Sequence, residues 1–86
     1  MPTNIIVDIM TQISLIQMKQ NQKARIQMVS GSNGFQHRLM SMGIYPGIEI
    51  TKVSHFALKG PVTVRIGRSN LAFGHGIAAR IIVETE

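Results

Sequence analysis

Apolar and polar residues alternate along most of this chain, and one short stretch breaks the alternation. Ala24, Ile26 and Met28 alternate with Arg25, Gln27 and Val29, the period-two signature of a half-buried strand. Ile48 and Ile50 alternate with Glu49 and Thr51, and the phase then slips at Lys52-Val53, which predicts a bulge or strong bend. Val62, Val64 and Ile66 point one way while Thr63 and Arg65 point the other. Leu71-Ala72-Phe73 reads as a short strand, and Ile81 and Val83 face inward in a last one over residues 80–84. Turn chemistry separates these runs at residues 19–22, 30–34, 57–61, 67–70 and 74–76.

The break is at NGFQHRLMSMGIYPG, residues 33–47. Phe35, Leu39 and Met42 fall at i, i+4 and i+7, one face of a short helix. Ser32 or Asn33 is its N-cap, Gly43 stands where a left-handed cap is wanted, and Pro46-Gly47 is a turn. Ile77-Ala78-Ala79 makes one further helical turn. Five short strands, with one short helix between the first and second, predict an all-β fold: a small antiparallel barrel whose closure removes unpaired edges.

Residues 1–13 show no clean period. Ile5, Ile6, Ile9, Met10 and Ile13 fit a helical stripe that would dock on the body or meet another subunit; the plainer reading is an ordered leader or a frayed tail. The chain therefore divides into a leader, 1–12, and a barrel domain, 13–86. The leader lacks a basic n-region and a cleavage site, and Asp8 interrupts it, so it is not a signal peptide. Nor does it reach the roughly 18 unbroken apolar residues of a membrane span. A cytoplasmic protein, not embedded in the membrane, is expected.

Composition narrows the chemistry. At 86 residues the chain is one domain near the small end of self-sufficient cores, and without cysteine it has neither disulfides nor thiolate metal sites. Nine Lys and Arg against four acids give a net charge of +5, but the positives are dispersed and the aromatics too few for a base-stacking platform. That charge reads as a solvated surface, with nucleic-acid binding its rival.

His37, His55 and His75 are too far apart in sequence for two ligands on one helix face, and Met28, Met40 and Met42 lie in or beside apolar stripes, where core filling explains them. No metal site or cofactor is expected. Asp8, Glu49, Glu84 and Glu86 form no acid–base pair, no serine has an activating histidine in a motif, and no phosphate loop occurs. The chain reads as a binding protein, not an enzyme.

The binding candidates lie on turns. Phe56 and Leu58 sit at a hairpin tip with little core to reach, rimmed by Lys52, His55 and Lys59, which is how a weak protein contact looks. The alternative is that Phe56 folds back over one barrel mouth. Tyr45 is either a second anchor or a cover for the helix end, and Arg38 turns outward to bond loop carbonyls. Gly43, Gly47, Gly60 and Gly67 are backbone devices, needed for positive φ or close approach.

Several of these residues combine into a recognisable string. Ile13-Ser14-Leu15, the strand at Lys23-Ala24-Arg25-Ile26, Arg38-Leu39, Met42-Gly43-Ile44, Pro46-Gly47, Gly60-Pro61-Val62, Leu71-Ala72-Phe73, Ala78 and Ile81-Ile82-Val83 together resemble the FeoA family of bacterial ferrous iron transport. The resemblance spans about residues 13–84. It implies an SH3-like barrel that acts on the cytoplasmic part of the membrane transporter FeoB and catalyses nothing itself. The chain departs at Phe73-Gly74-His75-Gly76-Ile77, where many members carry a charged turn. Under this reading Tyr45, His55, Phe56, Leu58 and Lys59 contact the partner. The rivals are a nucleic-acid-binding barrel and a regulatory module like the SH3-like domains of metal-dependent repressors, though those follow a helix-turn-helix domain not seen here. The apolar leader and exposed strands also allow a homo-oligomer.

Overall fold

Six strands, one more than the pattern suggests, form a single antiparallel sheet in the computed structural model, which describes residues 11–85. They are β1 (Thr11–Ser14), β2 (Lys23–Val29), β3 (Glu49–His55), β4 (Val62–Ile66), β5 (Ser69–Phe73) and β6 (Ile81–Thr85). Helix α1 (Asn33–Ser41) joins β2 to β3, and the single turn α2 (His75–Ala78) joins β5 to β6. The order across the sheet is β1-β6-β2-β3-β4-β5, the arrangement of a coiled SH3-like barrel.

The added strand is β1. Thr11 and Gln12, grouped with the leader by sequence, pair with Thr85 and Glu84, and Ile13 pairs with Val83. Four residues are too few to show a period of two, so Ile13 passed for the end of a helical stripe. The rest of that stripe, Ile5 to Met10, lies outside the described residues. A 3-10 turn, Leu15–Gln17, follows directly and buries Leu15 completely. Among the described residues β1 and β5 remain the two ends of the strand order, so the edges expected to vanish on closure are kept.

Two bulges reset the alternation. The slip at Lys52-Val53 is a register shift between Lys52 and Ser54 against β4, as its phase predicts. The other was not foreseen. Between Ile26 and Met28 the strand holds one residue more than β6 opposite it, which turns Met28 to solvent and Val29 into the core.

Helix α1 is bounded by its capping chemistry. The Ser32 hydroxyl accepts from the Phe35 N–H at 3.2 Å. At the far end the Ile44 N–H bonds the Leu39 carbonyl and the Gly43 N–H that of Met40, both at 2.9 Å, with Gly43 at φ +90°. This is a Schellman motif. It also corrects the expected helix face: Met42 is the cap residue, leaves the helix and is 46% exposed, while Ile44 beyond the turn packs inside with Leu39. Gly47 then ties the turn to β2, its N–H bonding the Ile26 carbonyl at 2.8 Å and its carbonyl accepting from Arg25 at 2.7 Å. The core under this frame is apolar: Leu15, Ile26, Leu39, Ile44, Ile50, Val62, Val64, Ile81 and Val83 are all essentially without solvent contact.

Candidate functional site

The β3–β4 hairpin projects its apolar side chains instead of burying them. The Phe56 N–H closes the turn on the Pro61 carbonyl at 3.0 Å. Ala57 takes a left-handed conformation, φ +62°, which costs a residue with a Cβ about 1 kcal/mol. A Cβ on Gly60 would overlap the Phe56 carbonyl oxygen, so close approach is what that glycine provides. The tight loop leaves Phe56 76% and Leu58 88% exposed. Phe56 therefore does not cover a barrel mouth. Lys59 is exposed beside it and His55 half-buried below.

Lys52 is not on this rim. It is 2% exposed, and its ammonium donates to the carbonyls of Ile16 at 3.0 Å and Met18 at 2.7 Å. His55 Nδ1 lies 3.2 Å from it as a third acceptor, which matches the three protons of an ammonium. With Nδ1 accepting, the imidazole proton belongs on Nε2, which is buried and has no protein partner. All three acceptors are neutral, and burial pushes the Lys52 amino group below its ordinary pKa. The bonds clamp the 3-10 turn to β3, directly beneath the tip. A signal for this was present: Lys52 continues the inward phase of Ile48 and Ile50.

A second surface lies at the other end of β3. Met28 and Val29 of β2, Gln36 and Met40 of α1, and Ile44, Tyr45 and Pro46 line a cleft of about 190 Å³. Met28, Met40 and Tyr45 are each between two-fifths and just over one-half exposed. Sequence reasoning assigned the two methionines to the core. The β2 bulge that exposes Met28 leaves no mark in composition, whereas Met40 visibly lies off the Phe35–Leu39 face. Seven residues of β3 at about 3.3 Å each put Tyr45 some 20 Å from the tip. The five expected contact residues thus divide: His55, Phe56, Leu58 and Lys59 come together, and Tyr45 stands apart.

Charge is unevenly placed. The described residues carry all nine Lys and Arg of the chain but only two acids, Glu49 and Glu84. The register sets both opposite Arg25, one on β3 and one on β6. Arg38 lies 5.9 Å and Arg80 5.3 Å from the Phe35 ring centre, so Arg38 stacks on an aromatic face and is not the loop-carbonyl donor expected. Among the described residues no three His, Asp or Glu side chains group as metal ligands, and no helix is long and apolar enough to cross a membrane.

Known proteins share the sequence pattern and the fold of this chain. The chain is 32% identical over 66 residues to a protein named for Fe(2+) transport, transport protein A, of Methanocaldococcus jannaschii, covering 77% of this chain and 78% of that one. A crystal structure titled iron uptake regulatory protein (FeoA) superposes with a TM-score of 0.78 at 27% identity, over 86% of this chain and 97% of the other. A manganese-dependent transcriptional repressor shares the fold, with a TM-score of 0.78 at 17% identity over 90% of this chain and 43% of its own. The FeoA domain family matches residues 13–85, and the chain belongs to that family.

Proposed function

We propose that this chain is a non-enzymatic, cytoplasmic accessory protein of ferrous iron uptake that binds the cytoplasmic part of a FeoB-like membrane transporter and modulates it. The observation that carries this reading is the FeoA match across residues 13–85. The cleft supports it physically. Met28, Met40 and Tyr45 offer adaptable apolar surface around a hollow with room for roughly six waters at about 30 Å³ each, enough for one large apolar side chain. Such a contact is small and reversible, as a modulator of a transport cycle requires.

The test is capture of the protein by the transporter's soluble cytoplasmic domain. Wild type is retained, while Met40→Asp and Tyr45→Ala weaken retention about tenfold or more, the scale of losing a buried anchor. No capture of wild type removes the reading; loss on Phe56→Asp with Met40→Asp unaffected moves the contact to the tip.

The repressor likeness favours a second reading, a regulatory SH3-like module acting on another domain. It predicts binding to a repressor-type helix-turn-helix domain in place of the transporter domain, measured in the same capture format.

A further inference from the structure

The hairpin tip is built to hold apolar side chains in water. Phe56 and Leu58 are the two most exposed large apolar residues among those described, at 76% and 88%. They are held out by a loop with a left-handed Ala57 and a glycine that tolerates no side chain. Strain and exposed apolar area in one turn of a small protein indicate something outside the protein that covers them.

Charge identifies the covering surface. Lys59 belongs to the tip itself. The turn 19–22, which carries Lys19, is bonded to β3 just behind it: the Asn21 N–H donates to the Lys52 carbonyl at 2.7 Å, and the Lys52 N–H to that of Gln22 at 3.0 Å. Lys23 follows, paired across to Thr51, with Arg65 on the far side of that threonine. Both described acids sit farther from the tip, in the row where Arg25 answers them. The tip end therefore combines a short apolar wedge with lysine and arginine that no acid among the described residues answers.

We infer that the 56–59 tip is a membrane-docking element, inserting Phe56 and Leu58 into the interfacial layer of an anionic lipid bilayer while Lys59, Lys19 and Lys23 meet its headgroups. An apolar insertion and a basic patch are the two signals that reversible interfacial binding needs, since neither alone holds a protein on a bilayer. The cleft at the opposite end of β3 then points away from the lipid. This inference does not depend on the transporter contact.

The experiment is flotation of the whole protein with vesicles of phosphatidylcholine alone and of phosphatidylcholine mixed with phosphatidylglycerol, at low and high salt. Wild type floats with the anionic vesicles only, and salt weakens it. Phe56→Asp and Leu58→Asp each lose about tenfold or more in partitioning, the range of one buried apolar side chain, and Lys59→Glu loses about fivefold or more. The chain contains no tryptophan, so Phe56→Trp provides a single reporter whose emission shifts to the blue on anionic vesicles. All three replaced side chains are exposed, and circular dichroism confirms that the variants are folded. The inference is overturned if wild type stays in solution with anionic vesicles at low salt. It is equally overturned if both aspartate variants float as well as wild type, which would mean adhesion by charge alone, or if the tryptophan emission does not move. Capture of a protein domain through the tip, without lipid binding, would assign the wedge to a protein instead.

Discussion

Replacing Lys52 by Met separates the cost of a buried charge from the value of its hydrogen bonds. The substitution keeps an unbranched stem in a site that is 2% exposed and removes the ammonium that bonds Ile16, Met18 and His55. At neutral pH two effects oppose. The carbonyls left without a donor cost about 1–3 kcal/mol each, and relief of the charge burial returns several kcal/mol. Stability at a single pH therefore decides little, but its slope with pH does. Burial holds the folded pKa of Lys52 below its ordinary 10.5, so between the folded value and 10.5 the unfolded chain binds more protons than the native one. Stability of the wild type must then rise with pH through that window, by at most about 1.4 kcal/mol per pH unit, and level off above it. The neutral amine still has two protons for the two carbonyls, so the clamp survives the loss of charge. Urea unfolding at steps from neutral pH to about 10.5, on wild type and Lys52→Met, measures the difference between slopes and cancels the general relief of positive self-repulsion. A wild-type slope equal to or smaller than that of the variant would refute this account of Lys52.

Three substitutions test the remaining geometry. Gly60→Ala should cost about 2 kcal/mol in urea unfolding, because its Cβ overlaps the Phe56 carbonyl oxygen; a loss below about 0.5 kcal/mol would mean that the loop yields freely. Ala57→Gly removes a Cβ from a left-handed residue, so it should leave stability unchanged or raise it by up to about 1 kcal/mol, and a loss would contradict the strain. Leu39→Ala should cost about 2–5 kcal/mol and Met42→Ala less than about 1 kcal/mol, since only the former is buried; comparable losses would restore the i, i+4, i+7 face and undo the Schellman reading.

Much of this fold was written locally. Alternation of Ile and Val with polar neighbours marks β3 and β4, the apolar run Ile81-Ile82-Val83 marks β6, Ser32 and Gly43 bracket α1, and the slip at Lys52-Val53 announces a bulge, because each signal lies within a few residues. The string from Arg38 to Gly47 with Gly60-Pro61-Val62 was enough to point to the FeoA family. The tip residues Phe56 and Leu58 were legible as well, since a hairpin turn leaves few places for them to go.

What escaped the sequence depends on partners far along the chain. Strand β1 exists because β6, some seventy residues later, offers it a ladder, and four residues alone carry too little pattern to declare themselves. The bulge at Gln27 is set by register against β6, and it decides that Met28 is exposed while Val29 is buried. Lys52 reads as a surface residue by chemistry. It is buried because two carbonyls of the 3-10 turn and one imidazole converge on its ammonium. Local propensity and periodicity thus determined which segments are strand, helix and turn, β1 excepted. Tertiary contacts decided the rest, the hiding of Lys52 and Val29 and the exposure of Met28 and Met42, because burial belongs to the assembled sheet and not to any segment of it.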